Sequence, residues 1–219
     1  MDRFISESYM IEDRAPLVLP RLYPIVDAGY FADRATLLAY VDEILRGGVT
    51  LLQYRNKSGE ERRRIEDAYA IRERVAGRAR LIMNDRADEC LIAEFDGLHV
   101  GQEDLTAEGA RRVIGAGRWL GVSTHTSEQI READGTDTDY LAIGPVFPTT
   151  TKVRPEPVVG VEGVRLARRL THKSVVAIGG ITVENCRTVI DAGADSVAVV
   201  SALMREPKRS VEAFLRALG

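Results

Sequence analysis

Short apolar runs alternate with stretches of helical apolar spacing along nearly the whole chain. The first run, Leu22-Tyr-Pro-Ile-Val-Asp27, is closed by Gly29, and the next segment up to Arg46 repeats leucine, valine and isoleucine at helical intervals. The same alternation predicts strands at 22–27, 49–55, 80–84, 96–100, 119–124, 140–143, 174–178 and 196–201. It predicts helices at 35–46, 60–75, 86–94, 106–114, 127–133, 160–170, 182–192 and 211–218.

The predicted strands are rich in valine, isoleucine and leucine, which is typical of parallel strands covered by helices. Eight strand–helix units in about 200 residues indicate an α/β protein with a single (β/α)8 TIM barrel. A doubly wound sheet is the alternative, and the count of eight and the absence of G-x-G-x-x-G after the first strand disfavour it. We assign residues 21–219 to the barrel domain and residues 1–20 to an N-terminal extension or lead-in outside the core.

The composition excludes several classes of function and adds little about the fold. The chain has 219 residues, an apolar fraction of 45% and a net charge of −3, so no overall positive field favours nucleic acid or an anionic membrane. Cys90 and Cys186 are far apart and have no metal-type spacing, which favours packing thiols in a reducing compartment. The N-terminal residues do not resemble a secretory signal, and no apolar run approaches the roughly 20 residues that span a bilayer. We therefore expect a cytoplasmic protein with no membrane partner and no nucleic-acid partner.

In such a barrel the active site forms where the strands end. The stretch from Leu141 to Lys152 begins as a strand, is stopped by glycine and proline, and then presents Thr149, Thr150 and Thr151 before the lysine. Hydroxyls and a fixed cation at the end of a buried strand suit a phosphorylated ligand. This stretch is the first candidate for binding chemistry.

The end of the second strand offers two more cations. With a period of two, Gln53, Arg55 and Lys57 lie on one side, facing the mouth of the barrel, and Tyr54 and Asn56 lie on the other. Two cations and an amide suit a diphosphate. Taken alone, an ordinary charged loop start explains the same residues equally well.

Two carboxylates follow neighbouring strands. Asp85 comes directly after the third strand and Asp104 lies in the loop after the fourth. Facing each other beside a phosphate cluster, they would suit Mg²⁺, which binds through one or two carboxylates together with phosphates and waters. Capping of the helices at residues 86 and 106 is the structural alternative.

The remaining strand ends carry hydroxyls, a histidine and glycines. Ser123 is a candidate hydrogen-bond donor to a phosphate oxygen. His125 could transfer a proton, but a histidine at a strand end is more often structural, and we interpret it as structural. Gly180 with Ser201 suits the phosphate site that recurs after strands seven and eight of barrels, with a tight turn as the alternative. We assign no function to His99 or His172. Two anion sites without an activated nucleophile indicate group transfer with pyrophosphate as the leaving group.

These residues resemble the thiamine-phosphate synthase family over about residues 22–203. The matching motifs are LYPIVD (22–27), QYRNK (53–57), NDR (84–86), DGLHVGQEDL (96–105), GVSTHT (121–126), GPVFPTTTK (144–152), AIGGI (177–181) and GADSV (193–197). The resemblance implies that a hydroxymethylpyrimidine diphosphate and a thiazole phosphate are joined to thiamine phosphate and pyrophosphate. It implies a dissociative, Mg²⁺-assisted substitution in which the thiazole nitrogen is the nucleophile.

The resemblance also implies the roles of individual residues. The metal ligands are Asp85 and Asp104, and the catalytic residues are Arg55, Lys57, Lys152 and Ser123. The substrate-binding residues are Gln53, Tyr54, Arg55, Asn56, Lys57, Asn84, Ser123, Thr149, Thr150, Thr151, Lys152, Gly180, Val200 and Ser201. A related thiazole tautomerase, which would use the histidine at 125, and a non-catalytic barrel that binds thiamine precursors are the alternatives. Whether the chain forms a homo-oligomer is left open.

Overall fold

Eight parallel strands close into a barrel in which each strand pairs with its neighbours in the chain and the eighth returns beside the first. The computed structural model describes residues 17–149 and 156–219. The strands are β1 (Leu22–Asp27), β2 (Leu51–Arg55), β3 (Arg80–Asn84), β4 (Gly97–Val100), β5 (Trp119–Thr124), β6 (Tyr140–Ile143), β7 (Ser174–Ile178) and β8 (Ser196–Val199). The predicted (β/α)8 barrel is confirmed.

Helices connect the strands around the outside. They are α1 (Arg34–Arg46), α2 (Glu61–Val75), α3 (Ala87–Ile92), α4 (Ala107–Ile114), α5 (Ser127–Asp134), α6 (Gly160–Leu170), α7 (Cys186–Asp191) and α8 (Pro207–Leu218). Short 3₁₀ turns follow β1 at Ala28–Tyr30 and β8 at Ser201–Leu203. Within the described residues, no helix is long and apolar enough to cross a membrane.

The two last helices differ most from the predicted bounds. The α7 helix begins at Cys186 rather than at residue 182, because the Asn185 side chain accepts a hydrogen bond from the Thr182 amide (2.8 Å) and holds a turn there. The α8 helix begins four residues early, at Pro207, whose fixed φ suits the first helical position.

Local sequence signals explain where α1 begins and ends. Asp33 and Thr36 form a reciprocal capping box at its N-terminus, and four apolar or aromatic side chains of the helix are buried on one face. At its C-terminus, a Cβ on Gly47 would lie 2.7 Å from the Val211 side chain, so glycine permits the close approach of α8.

The apolar core has two layers, which follow from the alternation of side chains along each strand. The larger layer lies between the strands and the helices. The smaller fills the barrel and consists of Tyr23, Ile25, Leu51, Ile82, Trp119, Tyr140, Ala142, Val176 and Ala198. Leu17 and Leu19, in the segment assigned to the N-terminal extension, are partly buried against this inner layer.

Candidate active site

The strand ends that carry polar residues meet at one rim of the barrel, because all eight strands run in the same direction. We call this rim the mouth. Gln53 and Tyr54 show how side chains at the mouth alternate between the inside and the outside of the barrel. The Gln53 amide donates to the hydroxyl of Tyr23 in the inner layer (3.0 Å), whereas Tyr54 packs in the outer layer. The predicted inward and outward sides of β2 are therefore found.

Tyr54 and Asn56 form their own contact on the outer side of the mouth. The side-chain Nδ2 of Asn56 donates to the Tyr54 hydroxyl (3.1 Å), and its side-chain Oδ1 accepts from the Ser58 backbone amide (2.8 Å). Tyr54 is 1% exposed. Its burial places Tyr54 behind the mouth, where it holds Asn56 and the loop after β2. Direct binding of substrate by these two residues stays a prediction.

Arg55 forms an ion pair with Asp27 at the mouth. The two residues are partners in the β1–β2 register, and Arg55 Nη1 donates to Asp27 Oδ2. The other carboxylate oxygen of Asp27 accepts from the Gly29 amide (3.0 Å), which fixes the carboxylate in place. Asp27 is only 7% exposed, so the pair is shielded from water on the Asp27 side. The guanidinium that was predicted to bind substrate is thus oriented by a residue that sequence reasoning missed.

Lys57, Asp85 and Asp104 form a charged cluster beside this pair. Lys57 forms an ion pair with Asp85, and the Asp85 carboxyl interacts through a hydrogen bond with that of Asp104. Burial raises the pKa of Asp85 to about 6; the hydrogen bond from Lys57 opposes this shift, and the hydrogen bond and negative charge of Asp104 add to it. We call these three residues the acidic cluster. The two carboxylates therefore interact, and their role as metal ligands stays a prediction.

Neither carboxylate caps a helix. Arg86 occupies the N-cap position of α3, and at the start of α4 the Thr106 hydroxyl accepts from the Gly109 amide (3.1 Å). Asp104 instead accepts from the Gly101 amide (2.8 Å), inside its own loop. Asp85 has a positive φ of 65°, a conformation that costs most side chains energy and that aspartate and asparagine tolerate better. The capping alternative is therefore wrong for both residues.

Ser123 at the end of β5 contacts His99 of β4 and Gln102 of the next loop. His99 Nε2 lies 2.9 Å from Ser123 Oγ, and the Gln102 amide donates to the Ser123 carbonyl (2.6 Å). Ser123 is half-buried, so its hydroxyl lies between the interior and the mouth. The structure gives His99, which had no assigned function, a direct contact with a predicted catalytic residue.

His125 links the end of β5 to the start of the loop after β6. Its Nδ1 donates to the Gly144 carbonyl at 2.5 Å, and its backbone amide donates to the Gln129 side chain (2.7 Å). These contacts give His125 a structural task, in line with the reading kept for it.

The second predicted anion site lies at the ends of β7 and β8. Gly180 follows β7, Val200 follows β8, and Ser201 opens the 3₁₀ turn beyond it. Thr149 is half-buried. Thr150, Thr151 and Lys152, which were predicted to bind the two phosphorylated groups, lie outside the described residues. Asn84 at the end of β3 is half-buried at the same rim.

The glycines after β7 make room for the loop that follows β6. The amides of Val146 and Phe147 donate to the carbonyls of Ile178 and Gly179 (2.9 and 3.0 Å). A Cβ on Gly180 would come within 2.5 Å of the Pro148 carbonyl oxygen, and its φ is +64°. Close packing of two loops therefore accounts for the glycines without a ligand. The turn alternative is supported, and a phosphate contact is compatible with it.

Asp27 and His99 are the site residues that sequence reasoning missed. Asp27 is the last residue of β1. The search for polar residues at the carboxyl ends of the later strands would have found it if it had been applied to β1. His99 lies two residues after Gly97 within β4, and the period of two places both on the inner side. Their partners, however, depend on the register between strands.

The closed barrel, with ionisable side chains gathered at the carboxyl ends of its strands, has the arrangement of a (β/α)8-barrel enzyme. Residues 22–203 match the thiamine monophosphate synthase family. A thiamine-phosphate synthase from Koribacter versatilis is 51% identical over 205 residues, which cover 92% of this chain and 97% of that protein. One from Chloroflexus aurantiacus is 42% identical over 186 residues, covering 84% of this chain and 85% of the relative.

A solved structure gives the same answer. The thiamine phosphate pyrophosphorylase from Pyrococcus furiosus superimposes with a TM-score of 0.80 at 30% identity, covering 90% of this chain and 95% of that one. The chain therefore belongs to the thiamine monophosphate synthase family. It is therefore an enzyme of the transferase class. The activity of the family belongs to thiamine biosynthesis.

Proposed function

We propose that this enzyme joins a hydroxymethylpyrimidine diphosphate to a thiazole phosphate and releases thiamine phosphate and pyrophosphate. The observation that carries the proposal is the acidic cluster of Lys57, Asp85 and Asp104 next to the Arg55–Asp27 pair. Cations and a paired carboxylate site at one rim suit a leaving group that carries several negative charges.

Mg²⁺ is the metal that the acidic cluster fits. Two carboxylates that share a hydrogen bond in a partly buried position repel each other when both are ionised, and a divalent cation would relieve that repulsion. Among the residues described, no three His, Cys, Asp or Glu side chains come together as a metal site. A metal held by Asp85 and Asp104 would therefore take its other ligands from a diphosphate and water, as Mg²⁺ commonly does. When bound, it would neutralise charge on the departing pyrophosphate.

The chain's own residues then divide the work. We assign binding of the diphosphate to Arg55, Lys57 and Lys152, and donation of a hydrogen bond to Ser123. Arg55 is held by Asp27, so its remaining N–H groups have a defined direction. Gly180, Val200, Ser201 and the threonines are assigned to the thiazole phosphate, with Gln53 and Asn84 on the pyrimidine side.

The reaction needs no nucleophile from the protein. In the dissociative substitution that we propose, the bond to pyrophosphate breaks first, the pyrimidine-methyl cation forms, and the ring nitrogen of the thiazole supplies the electron pair for the new C–N bond. The protein contributes position and charge, which can lower a barrier by several kcal/mol, about 7–11 in well-oriented cases.

Incubation of the purified protein with both substrates and Mg²⁺ tests the proposal. We expect thiamine phosphate and pyrophosphate in equal amounts, and none when either substrate is left out. The tautomerase alternative would use His125, whose Nδ1 donates to the Gly144 carbonyl and thereby holds the ring in a structural contact. Lack of product with both substrates and Mg²⁺ would contradict the proposal.

We also propose that the enzyme works in the cytoplasm. Both cysteines are free and buried, as expected for thiols in a reducing compartment. Fractionation of cells that express the protein tests this, and recovery outside the cytoplasmic fraction would contradict it.

A further inference from the structure

Five side chains from five strands form one continuous series of hydrogen bonds across the inside of the barrel. Gln53 Nε2 contacts the Tyr23 hydroxyl (3.0 Å), which contacts the Tyr140 hydroxyl (3.0 Å). Tyr140 contacts His99 Nδ1 (3.1 Å), and His99 Nε2 contacts Ser123 Oγ (2.9 Å). We call this series the interior relay. It joins the β2 side of the mouth to the β5 side through the centre of the molecule.

The relay is shielded from water. Tyr23 is 1% exposed, Tyr140 0%, Gln53 3% and His99 8%. Burial raises the pKa of the Tyr23 and Tyr140 hydroxyls well above their ordinary value, so both keep their hydrogen at any pH at which the protein works. Each hydroxyl can therefore donate one hydrogen bond, and the donor at each contact of the relay can be assigned by following these hydrogens from one end to the other.

The count starts at Gln53, because an amide nitrogen can only donate. Tyr23 accepts from Gln53 Nε2, and its other hydrogen-bond partner among the described residues is Tyr140. Because a buried hydroxyl hydrogen without an acceptor is costly, Tyr23 donates to Tyr140. Tyr140 in turn gives its hydrogen to His99 Nδ1, which must be the unprotonated nitrogen of the ring. The ring hydrogen is then on Nε2 and is donated to Ser123 Oγ. The Ser123 hydroxyl accepts inside the barrel and keeps its own hydrogen for a partner at the mouth.

The packing around the relay fixes its geometry. His99 and Tyr140 flank Gly121 in the strand register, and their rings stack over it with centroids 5.5 Å apart. A Cβ on Gly121 would lie 2.0 Å from the Tyr140 ring, so only glycine leaves room for this stack. Tyr23 meets Tyr140 edge to face, with centroids 6.1 Å apart. Neither tyrosine can turn its hydroxyl away without disturbing this packing.

We propose that the interior relay fixes His99 in the Nε2–H tautomer and thereby makes Ser123 an obligate hydrogen-bond donor toward the mouth. Tyr23, Tyr140 and His99 are then positioning residues that act through Ser123. The inference rests on the proposed function in one respect: the acceptor at the mouth is an anionic oxygen of the phosphorylated substrate. A hydroxyl whose direction is set before the substrate arrives does not have to reorient as negative charge develops.

The first test reads the tautomer directly and needs no activity. In ¹⁵N spectra of the labelled full chain at neutral pH, the His99 ring is identified among the three histidines as the signal absent from His99→Gln. We expect a hydrogen on Nε2 and a bare Nδ1. A hydrogen on Nδ1, or on both ring nitrogens, overturns the proposal, and it does so even if the protein turns over no substrate.

The second test is a double-mutant cycle on kcat. We expect Ser123→Ala to lower kcat roughly a hundredfold, as loss of a donor to developing charge does. Tyr140→Phe, which removes only the hydroxyl, should lower it roughly tenfold, and in the Ser123→Ala background it should change kcat by less than about twofold. A full tenfold effect in both backgrounds would show that Tyr140 does not act through Ser123. Tyr23→Phe serves the same cycle if Tyr140→Phe does not fold.

Tyr40 provides the matched control for removal of a buried tyrosine hydroxyl. Tyr40 is 6% exposed, and its hydroxyl has no hydrogen-bond partner within the described part of the chain. Tyr40→Phe should therefore leave kcat, KM and the His99 spectrum at their wild-type values. If Tyr40→Phe lowers kcat as much as Tyr140→Phe does, loss of any buried hydroxyl is sufficient and the relay is refuted.

Discussion

Asp27 holds Arg55 at the mouth of the barrel, and the two residues are direct partners in the register between β1 and β2. The pair places a guanidinium and a carboxylate on adjacent strands at the rim where Lys57 meets Asp85. The two cations at the end of β2 thus lie between a carboxylate on β1 and a carboxylate after β3. A ligand that binds here must be able to use both, as a metal-bound diphosphate can.

Replacing Asp27 with asparagine tests whether the orientation of Arg55 matters. Asn keeps an oxygen for the Gly29 amide but loses the charge that pairs with Arg55. We expect KM for the pyrimidine diphosphate to rise about tenfold, because a charge-assisted contact contributes roughly 1.5 kcal/mol. Steady-state kinetics measures this. Asp42→Asn, which breaks the Arg74–Asp42 pair on the outer helices, is the control and should leave KM unchanged. Equal KM values for Asp27→Asn and the wild type would remove the role we give to Asp27.

Asp85→Asn separates function from stability. Because the pKa of Asp85 in the folded protein is about 6, above its unfolded value, its contribution to stability is fully present below about pH 4 and is lost as the pH rises to about 6. Asn does not titrate and tolerates the positive φ. At pH 7 without metal, we expect Asp85→Asn to be more stable than the wild type by on the order of 1 kcal/mol, since solvent screens part of the effect. Chemical denaturation at pH 4 and pH 7 measures the difference.

The matched variant at the same position is Asp85→Ala. Alanine at a φ of 65° costs about 1–2 kcal/mol, so this variant should be less stable than Asp85→Asn although both lose the carboxylate. Both should lose Mg²⁺-dependent turnover. An Asp85→Asn protein that keeps full activity would remove Asp85 from the metal site.

Gly121→Ala tests the stacking of Tyr140 and His99. The added Cβ would lie 2.0 Å from the Tyr140 ring, so the ring must move or the strands must separate. Overpacking of this kind costs about 1–3 kcal/mol, and thermal unfolding should show it as a lower Tm. Gly59→Ala is the control, because a Cβ there meets nothing within 4 Å. A Tm for Gly121→Ala that matches Gly59→Ala would show that the interior has room to spare.

The buried pair of Arg64 and Glu89 gives a prediction for the outer layer. Arg64 donates to Glu89 through Nε (2.9 Å) and Nη2 (2.7 Å), and its Nη1 holds the Ser58 carbonyl (2.7 Å) beside Lys57. Their side chains are 9% and 2% exposed, so Glu89→Gln leaves a buried cation whose remaining counter-charge is the exposed Glu61 carboxylate, 3.9 Å away. We expect a loss of about 3 kcal/mol in the free energy of unfolding.

The exposed pair of Arg72 and Glu94 is the comparison for this measurement. Its side chains are 45% and 62% exposed, and Glu94→Gln should change stability by less than about 1 kcal/mol. Urea denaturation of the two variants decides the point. Equal small losses would mean that water reaches the Arg64–Glu89 pair.

The fold and the rim of the site follow from local sequence signals, and the contacts inside the site do not. Alternating periodicity located the strands, and their carboxyl ends located Arg55, Lys57, Asp85 and Asp104. Helix capping was the wrong alternative for the two aspartates because Arg86 and Thr106 occupy those positions. Each aspartate lies only one or two residues before the residue that occupies the N-cap position.

The interior relay shows where sequence reasoning stops. Tyr23 and Tyr140 are 117 residues apart and meet only because the barrel closes. Whether Asp27 faces Arg55, and whether His99 faces Gly121, depends on the stagger between strands, which no single strand encodes. A histidine within a strand and a tyrosine at the start of another have no visible relation until the register is known.

The most direct test of the account is pyrophosphate release measured against Mg²⁺ concentration, with both substrates present, for the wild type and Asp85→Asn. We predict saturable, Mg²⁺-dependent release for the wild type, matched one to one by thiamine phosphate, and roughly a hundredfold less for the variant at every Mg²⁺ concentration. Wild-type release that does not depend on Mg²⁺, or that is unchanged by loss of the Asp85 carboxylate, would contradict the account.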